Sequence, residues 1–167
     1  LAINVFYSLW GKTVLILDAF LIAVGFVLRI LGGCQGIGVK PSGWILTTTF
    51  FLSLFLGFGK RKSEIVLLGE TRGQHRKVLH AYGIPFLNQV ITATGSIAIL
   101  SYSLYTLDGE VVAQFGTDGL VYTIPLVVFG IFRYMFHLGT DEQGDPVEVV
   151  FGDKALAVSI LLWVIAC

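Results

Sequence analysis

Charge is scarce in this sequence. Only 13% of the 167 residues are Asp, Glu, Lys or Arg and 55% are hydrophobic, where a soluble domain carries about a quarter charged residues. Mean hydropathy is +0.83. Together these exclude an ordinary soluble domain and put the chain in a lipid bilayer. Cysteine is scarcer still. Cys34 and Cys167 stand far apart with neither a CxxC nor a Cys/His spacing, which leaves no disulfide framework and no zinc site to expect. Both read as small apolar residues. No internal repeat is visible. The formal net charge is zero, and it says little about partners, because the placement of Lys and Arg matters more than their sum in a membrane protein. No nucleic-acid partner is expected.

What charge there is collects in one place. Six of the eleven Lys and Arg residues fall between Phe55 and Tyr82, in FLGFGKRKSEIVLLGETRGQHRKVLHAY, flanked by long apolar segments. Lys60, Arg61 and Glu64 form a KRxxE cluster in it, and a spacing of four puts Lys60 and Glu64 on one face of a helix. Such an island is either a membrane-surface anchor or the edge of a site for an anionic substrate.

Taken in order, the chain predicts an all-α, polytopic membrane helical bundle. Residues 1–10 read as the end of a preceding helix, with Tyr7 and Trp10 at a water–membrane boundary. Lys12 leads into TVLILDAFLIAVGFVLRILGG, long enough at ~1.5 Å per residue for the ~30 Å hydrocarbon core. Its two ionisable residues, Asp18 and Arg29, share a stripe but stand about 16 Å apart along the axis, too far to pair. A glycine-rich link follows, with Pro41 available for the first turn of the next helix. WILTTTFFLSLFLGFG then runs into the island at Lys60, and Ile84 to Leu107 forms a fourth segment with a polar side. A fifth, Leu120 to Leu138, contains Pro125, which predicts a kink. The chain opens at Leu1 and stops at Cys167 inside an apolar run. Both ends read as cuts through membrane helices, so a fragment lacking its amino-terminal part is expected.

Orientation comes from the loops. An excess of Lys and Arg puts the island on the cytoplasmic side. Alternation then places Lys12, the FRYMFH end of the fifth segment and the 139–154 link there too, with the 32–41 and 108–119 links outside. Three helices would thus offer cations and carboxylates at one depth: Lys12 with Asp18, Lys60 and Arg61 with Glu64, and Arg133 and Tyr134 with His137. Ionisable residues inside membrane segments are costly and are functional candidates. Lys and Arg beside carboxylates suit a phosphorylated substrate held with Mg²⁺. Plainer roles compete. Lys62, Arg72 and Lys77 read best as headgroup anchors, Arg29 as a snorkelling residue, His137 as an interface residue, and Trp10, Trp44 and Trp163 as packing or membrane-interface residues. Asp18 could be a hydrogen-bonded contact between helices.

Five linked stretches carry a family likeness: NVFYSLWGKTVLILDAFLIAVGFVLRILGG, LFLGFGKRKSEIVLL, HRKVLHAYGIPFLNQV, SYSLYT and VYTIPLVVFGIFRYMF. In this order they resemble the second half of the UbiA-like decaprenyl-phosphate phosphoribosyltransferases, a branch of the UbiA superfamily of intramembrane prenyltransferases. The resemblance covers nearly the whole chain. It implies a nine-helix bundle of which residues 1–167 supply about the last five helices and a stub, as the carboxy-terminal part of a single transferase domain. It also implies transfer of 5-phosphoribose from phosphoribosyl pyrophosphate to a polyprenyl (decaprenyl) phosphate, with Mg²⁺ and release of pyrophosphate, towards the arabinose donor of the bacterial cell wall. The membrane would be the bacterial plasma membrane, with the active site facing the cytoplasm.

The resemblance also distributes roles. KRKSE stands where the wider superfamily has its second Asp-rich motif, DxxxD. Phosphate binding therefore falls to Lys60 and Arg61, and a catalytic, metal-linked role to Glu64. A YSxxxKxxxxxD pattern places Tyr7, Lys12 and Asp18 in the donor site, Asp18 with a catalytic role, and Arg76 is a weaker substrate-binding candidate. The first Asp-rich motif, NDxxDxxxD, does not occur in the chain, so the isolated piece is expected to be inactive. Apolar faces such as TTTFFLSLFLGFG could line an exit for the lipid tail between helices. Two alternatives stay open: a UbiA-type prenyltransferase acting on an aromatic acceptor, and a transporter or scaffold subunit without enzymatic activity.

Overall fold

The computed structural model describes residues 16–68, 83–140 and 146–167. Seven α-helices follow one another there: α1 (Leu17–Gly36), α2 (Gly43–Leu68), α3 (Ile84–Leu107), α4 (Gly109–Phe115), α5 (Ile124–Gly139), α6 (Pro146–Gly152) and α7 (Lys154–Ala166). A 3-10 turn over Gly119–Thr123 leads into α5. No strand occurs among the described residues. Four segments are long and apolar enough to cross a membrane: Leu17–Gly36, Gly43–Val66, Ile84–Leu107 and Gly119–Gly139. The protein is an integral membrane protein with an all-helical, polytopic architecture, as its composition required.

Bilayer chemistry explains why these helices form and how they pack. Hydrocarbon cannot hydrogen-bond a backbone, so each apolar run closes its own N–H and C=O groups as a helix. Lipid tails are as apolar as leucine, so helices then associate by close packing rather than by escape from water. Small residues make that approach possible. Ala19 and Ala23 of α1 are buried, and a methyl group added at Gly57 of α2 would lie 3.7 Å from the Ala19 Cβ. Gly95 of α3 admits the Phe55 ring, whose atoms lie 3.2 Å from where a Cβ would stand, and Ile131 of α5 comes within 3.4 Å of the same point. The core joins Leu54, Phe55, Phe58 and Ile65 of α2 to Leu87 and Ile91 of α3 and Ile131, Tyr134 and Leu138 of α5. Outward faces keep Phe20 and Phe26 on α1, Phe129 and Phe132 on α5, and Leu161 and Ile165 on α7 exposed, which suits contact with lipid.

Polar contacts fix which ends of the helices lie together. Ser42, just before α2, accepts from the Trp44 N–H at 3.2 Å and donates to Asp108 Oδ2 at 3.2 Å. Asp108 in turn caps α4 by accepting from the Glu110 N–H. The 32–41 and 108–119 links therefore meet at one end of the bundle, as alternation of the spans requires. Near that end Trp163 Nε1 donates to the Tyr102 hydroxyl at 2.8 Å, Tyr102 and Thr123 Oγ1 are 2.6 Å apart, and Thr123 donates to the Leu120 carbonyl. Lys60–Glu64 lie towards the opposite end of α2.

Four details differ from the sequence expectation. Pro125 does not kink a helix; it sits in the first turn of α5, where its missing N–H has no partner to lose. Pro41 precedes Ser42 and stays outside α2, which starts at Gly43. The 108–119 and 139–154 links are not wholly irregular, since they contain α4 and α6. Finally, α2 does not end at the island but continues through Lys60–Glu64 to Leu68. Lys62, expected at an exposed helix end, is on this helix and buried, 8% exposed.

Gly59 is the tightest point between α2 and α5. A Cβ there would meet the Tyr134 hydroxyl at 2.7 Å, its ring at 2.9 Å and Leu138 at 3.1 Å. Gly59→Ala should cost about 1–3 kcal/mol by overpacking, read as a lowered thermal midpoint in detergent. Adding Tyr134→Phe should recover part of the loss, and equal midpoints for wild type and Gly59→Ala would contradict this packing.

Candidate functional site

α1 and α2 present the site. Asp18 lies in the first turn of α1, and Arg61 and Glu64 lie one turn apart on the continuation of α2. Arg61 Nε donates to Asp18 Oδ2 at 2.7 Å and Arg61 Nη1 donates to Glu64 Oε2 at 2.9 Å. The Arg61 and Asp18 side chains are only 5% and 3% exposed, whereas Glu64 is 28% exposed. One guanidinium is thus held by two carboxylates from two helices, Asp18 at its Nε and Glu64 at its Nη1. Its planar fork suits that geometry, and it carries more N–H groups than the two used. Glu64 and Lys60 were expected to share a face; the ion pair that forms is between Glu64 and Arg61, three residues apart. Asp18, too distant from Arg29, finds its cation on the neighbouring helix. Arg29 is exposed and lies 5.1 Å over the Phe26 ring.

A second cluster forms at the same end of the bundle, where α5 meets α7. Asp153 caps α7, its Oδ1 accepting from the Ala155 N–H at 2.8 Å and the Leu156 N–H at 3.3 Å. Its Oδ2 meets Arg133 Nε and His137 Nε2, each at 2.5 Å. The His137 and Arg133 contacts, with the two backbone donors, hold the Asp153 carboxyl well below the usual carboxylate range. Arg133 and His137 were expected beside the island's cations; they turn instead to Asp153, a residue the sequence reading passed over. A signal for it existed, because an Asp directly before the apolar run KALAVSILLWVIA is a helix-start pattern.

Of the other residues picked from the sequence, Lys60 sits half-buried on α2 beside Arg61, while Tyr7, Lys12 and Arg76 lie outside the described residues. A cavity of about 410 Å³ between α2, α3, α5 and α7 is lined by Phe55, Ile131 and Tyr134 but not by Asp18, Arg61 or Glu64. No group of three or more His, Cys, Asp or Glu side chains that could hold a metal occurs among the described residues. Asp18 is locked on Arg61, so Glu64 is the partly exposed carboxylate of this cluster. A single carboxylate fits Mg²⁺ only where substrate phosphates and water complete the coordination, a common arrangement for that ion.

Four membrane-length segments with a buried cation clamped by carboxylates define a polytopic membrane protein. No protein-family model matches the chain. Comparison with characterised proteins is specific: the chain is 35% identical over 167 residues to the decaprenyl-phosphate phosphoribosyltransferase of Corynebacterium glutamicum, 98% of the chain aligning with 49% of that protein. It is 26% identical to the enzyme of the same name from Mycolicibacterium smegmatis, over 98% of the chain and 54% of the relative. The Mycobacterium tuberculosis enzyme is 25% identical, over 98% and 53%. The chain is thus related, along nearly its whole length, to the decaprenyl-phosphate phosphoribosyltransferases, and it spans about half the length of these relatives.

Two predictions follow the geometry of the clusters. Arg61→Met strands the buried Asp18 charge and should cost about 3–5 kcal/mol, whereas Glu64→Gln, at a partly exposed position, should cost under about 1 kcal/mol; denaturation in mixed detergent micelles separates the two. For Asp153, the folded carboxyl ionises at lower pH than the unfolded one. Its pairs therefore stabilise the fold above about pH 4, and that contribution fades as pH falls towards the folded value. Thermal midpoints of wild type and Asp153→Asn should differ at pH 7 and converge at acid pH; a constant gap would show that Asp153 does not act through its charge.

Proposed function

We propose that this chain forms part of a single membrane-embedded transferase domain that moves 5-phosphoribose from phosphoribosyl pyrophosphate to a polyprenyl phosphate and releases pyrophosphate. The observation that carries the reading is the clamp in which Asp18 of α1 and Glu64 of KRKSE hold the buried Arg61, in a chain related throughout to enzymes named for that transfer. An Arg held at Nε and Nη1 by carboxylates is pre-set to offer its remaining N–H groups to phosphate oxygens without losing side-chain freedom on binding. Lys60 adds a second cation for a donor that carries a 5-phosphate as well as a pyrophosphate. Lys12, Tyr7 and Arg76 complete the substrate-binding set in this reading.

The reaction needs little covalent help from the protein. An oxygen of the lipid phosphate attacks the anomeric carbon of the ribose, and the bond from that carbon to pyrophosphate breaks, the electron pair leaving with pyrophosphate. The lipid phosphate is already ionised, so no strong general base is required. Lys60 and Arg61 hold the anions in line and stabilise the charge that develops on the leaving group. Asp18 acts by holding Arg61, not by taking a proton. Glu64 does the same from the other side and is the described carboxylate that would hold Mg²⁺; a bound Mg²⁺ supplies charge neutralisation at the pyrophosphate. The site belongs on the cytoplasmic side of a bacterial plasma membrane, where the positive island would lie and the soluble donor is available.

The test is an assay of the intact protein in nanodiscs with labelled phosphoribosyl pyrophosphate, Mg²⁺ and polyprenyl phosphate. Labelled lipid should form and should fall at least tenfold in Lys60→Ala and in Glu64→Ala. Prenylation of an aromatic acceptor in place of that product, or full activity in both variants, would reject the assignment.

A further inference from the structure

The Asp153 cluster lies about one helical turn beyond the lining of the cavity, on the same two helices. Leu126 and Gly130 of α5 line the cavity, and the 4, 3, 4 spacing from Leu126 through Gly130 and Arg133 to His137 keeps all four on one helical stripe. On α7, Leu156, Ile160 and Trp163 line the cavity, and Asp153 stands one turn before Leu156 on the same stripe. Followed towards the charged end of the bundle, the two stripes that line the groove between α5 and α7 lead, one turn on, to Arg133, His137 and Asp153. At its other end Trp163 and Tyr102 meet in a hydrogen bond. Along its side, Leu52 and Leu56 of α2 and Ile160 are 36–39% exposed, which leaves the groove open along that side.

Arg133 is placed to use that junction. Asp153 occupies its Nε, its carbon Cζ lies 5.5 Å over the Phe136 ring, and its side chain is 38% exposed. Its two terminal Nη groups bond no described residue. One edge of the guanidinium is thus fixed while the outer fork is open, the arrangement that grips a phosphate with two N–H donors. An apolar groove leading to an open arginine fork fits an amphiphile with a long hydrocarbon chain and a phosphate head.

We propose that the α5–α7 groove is the acceptor-lipid site: Arg133, steadied by Asp153, holds the phosphate of the polyprenyl phosphate, and the isoprene units next to it lie against Leu52, Ile131, Leu156 and Ile160. This rests on the transferase reading above. From Leu156 to Trp163 the groove runs only about 10 Å at ~1.5 Å per residue, a third of the ~30 Å hydrocarbon core. It therefore reads the proximal part of the chain, and the remainder leaves sideways into the bilayer. Short and long polyprenyl phosphates should then bind alike.

The experiment uses the intact protein in phosphatidylcholine nanodiscs, without donor, and a polyprenyl phosphate carrying a photoreactive diazirine in the isoprene units nearest the phosphate. Adducts mapped by mass spectrometry should fall on α2, α5 and α7 groove residues. Unlabelled polyprenyl phosphates, short or long, should compete; polyprenol and phosphatidylglycerol should not. Arg133→Gln should reduce labelling at least tenfold and Arg133→Lys less. Ile160→Trp, which fills the groove from an exposed position, tests the site without touching the ion pairs. Adducts outside the groove, equal competition by phosphatidylglycerol, or unchanged labelling in both Arg133→Gln and Ile160→Trp would overturn the proposal. Specific groove labelling by a protein that forms no phosphoribosyl lipid would uphold the lipid site and reject the transferase; transfer with no groove adducts would do the opposite.

Discussion

A guanidinium buried at 5% exposure keeps its proton, because its pKa is too high for neutralisation to be an escape. The bundle has to bring negative charge to Arg61, and it does so with one carboxylate from each of two helices. That requirement fixes the register of α1 against α2: Asp18 must lie level with Arg61, which sets Ala19 and Ala23 against the glycine-bearing face of α2. Ion pair and close packing depend on each other. Without the small residues the helices could not approach to 2.7 Å contact, and without the pair an uncompensated charge would stand between them.

The same solution recurs at the α5–α7 contact, where Asp153 answers Arg133 and His137 and also starts the helix that carries it. Two cation–carboxylate clusters, one fed by α1 and α2 and the other by α5 and α7, thus share one end of the bundle, with the Gly59–Tyr134 contact joining α2 to α5. Their exposure differs in a useful way. Arg61 is enclosed, whereas Arg133 is open at its outer fork.

Bilayer chemistry made much of this legible without a structure. Apolar runs of 20 residues and more have no alternative to the helix in hydrocarbon, and the crowding of Lys and Arg into one island marked the polar end. Asp18, Arg61 and Glu64 could be singled out individually, since an ionisable residue in an apolar segment always requires an explanation. Which groups pair is another matter. Lys60 and Glu64 have the better helical spacing on paper, yet Arg61 takes Glu64, because the planar fork can serve Asp18 and Glu64 together. Lys62 looked like a headgroup anchor because the island reads as a helix end; it is buried because α2 runs on to Leu68.

By itself the sequence determined the environment, the helices, the polar end and the family likeness, all of which depend on composition and on order along the chain. The tertiary structure alone decided the partners. Asp18 meets Arg61 across 43 residues and Arg133 meets Asp153 across 20, and no local spacing encodes either distance. Side-chain pairing in a membrane bundle is set by which small residues let two helices close and at what depth their charges then coincide. That is a property of two surfaces brought together, not of one segment read alone.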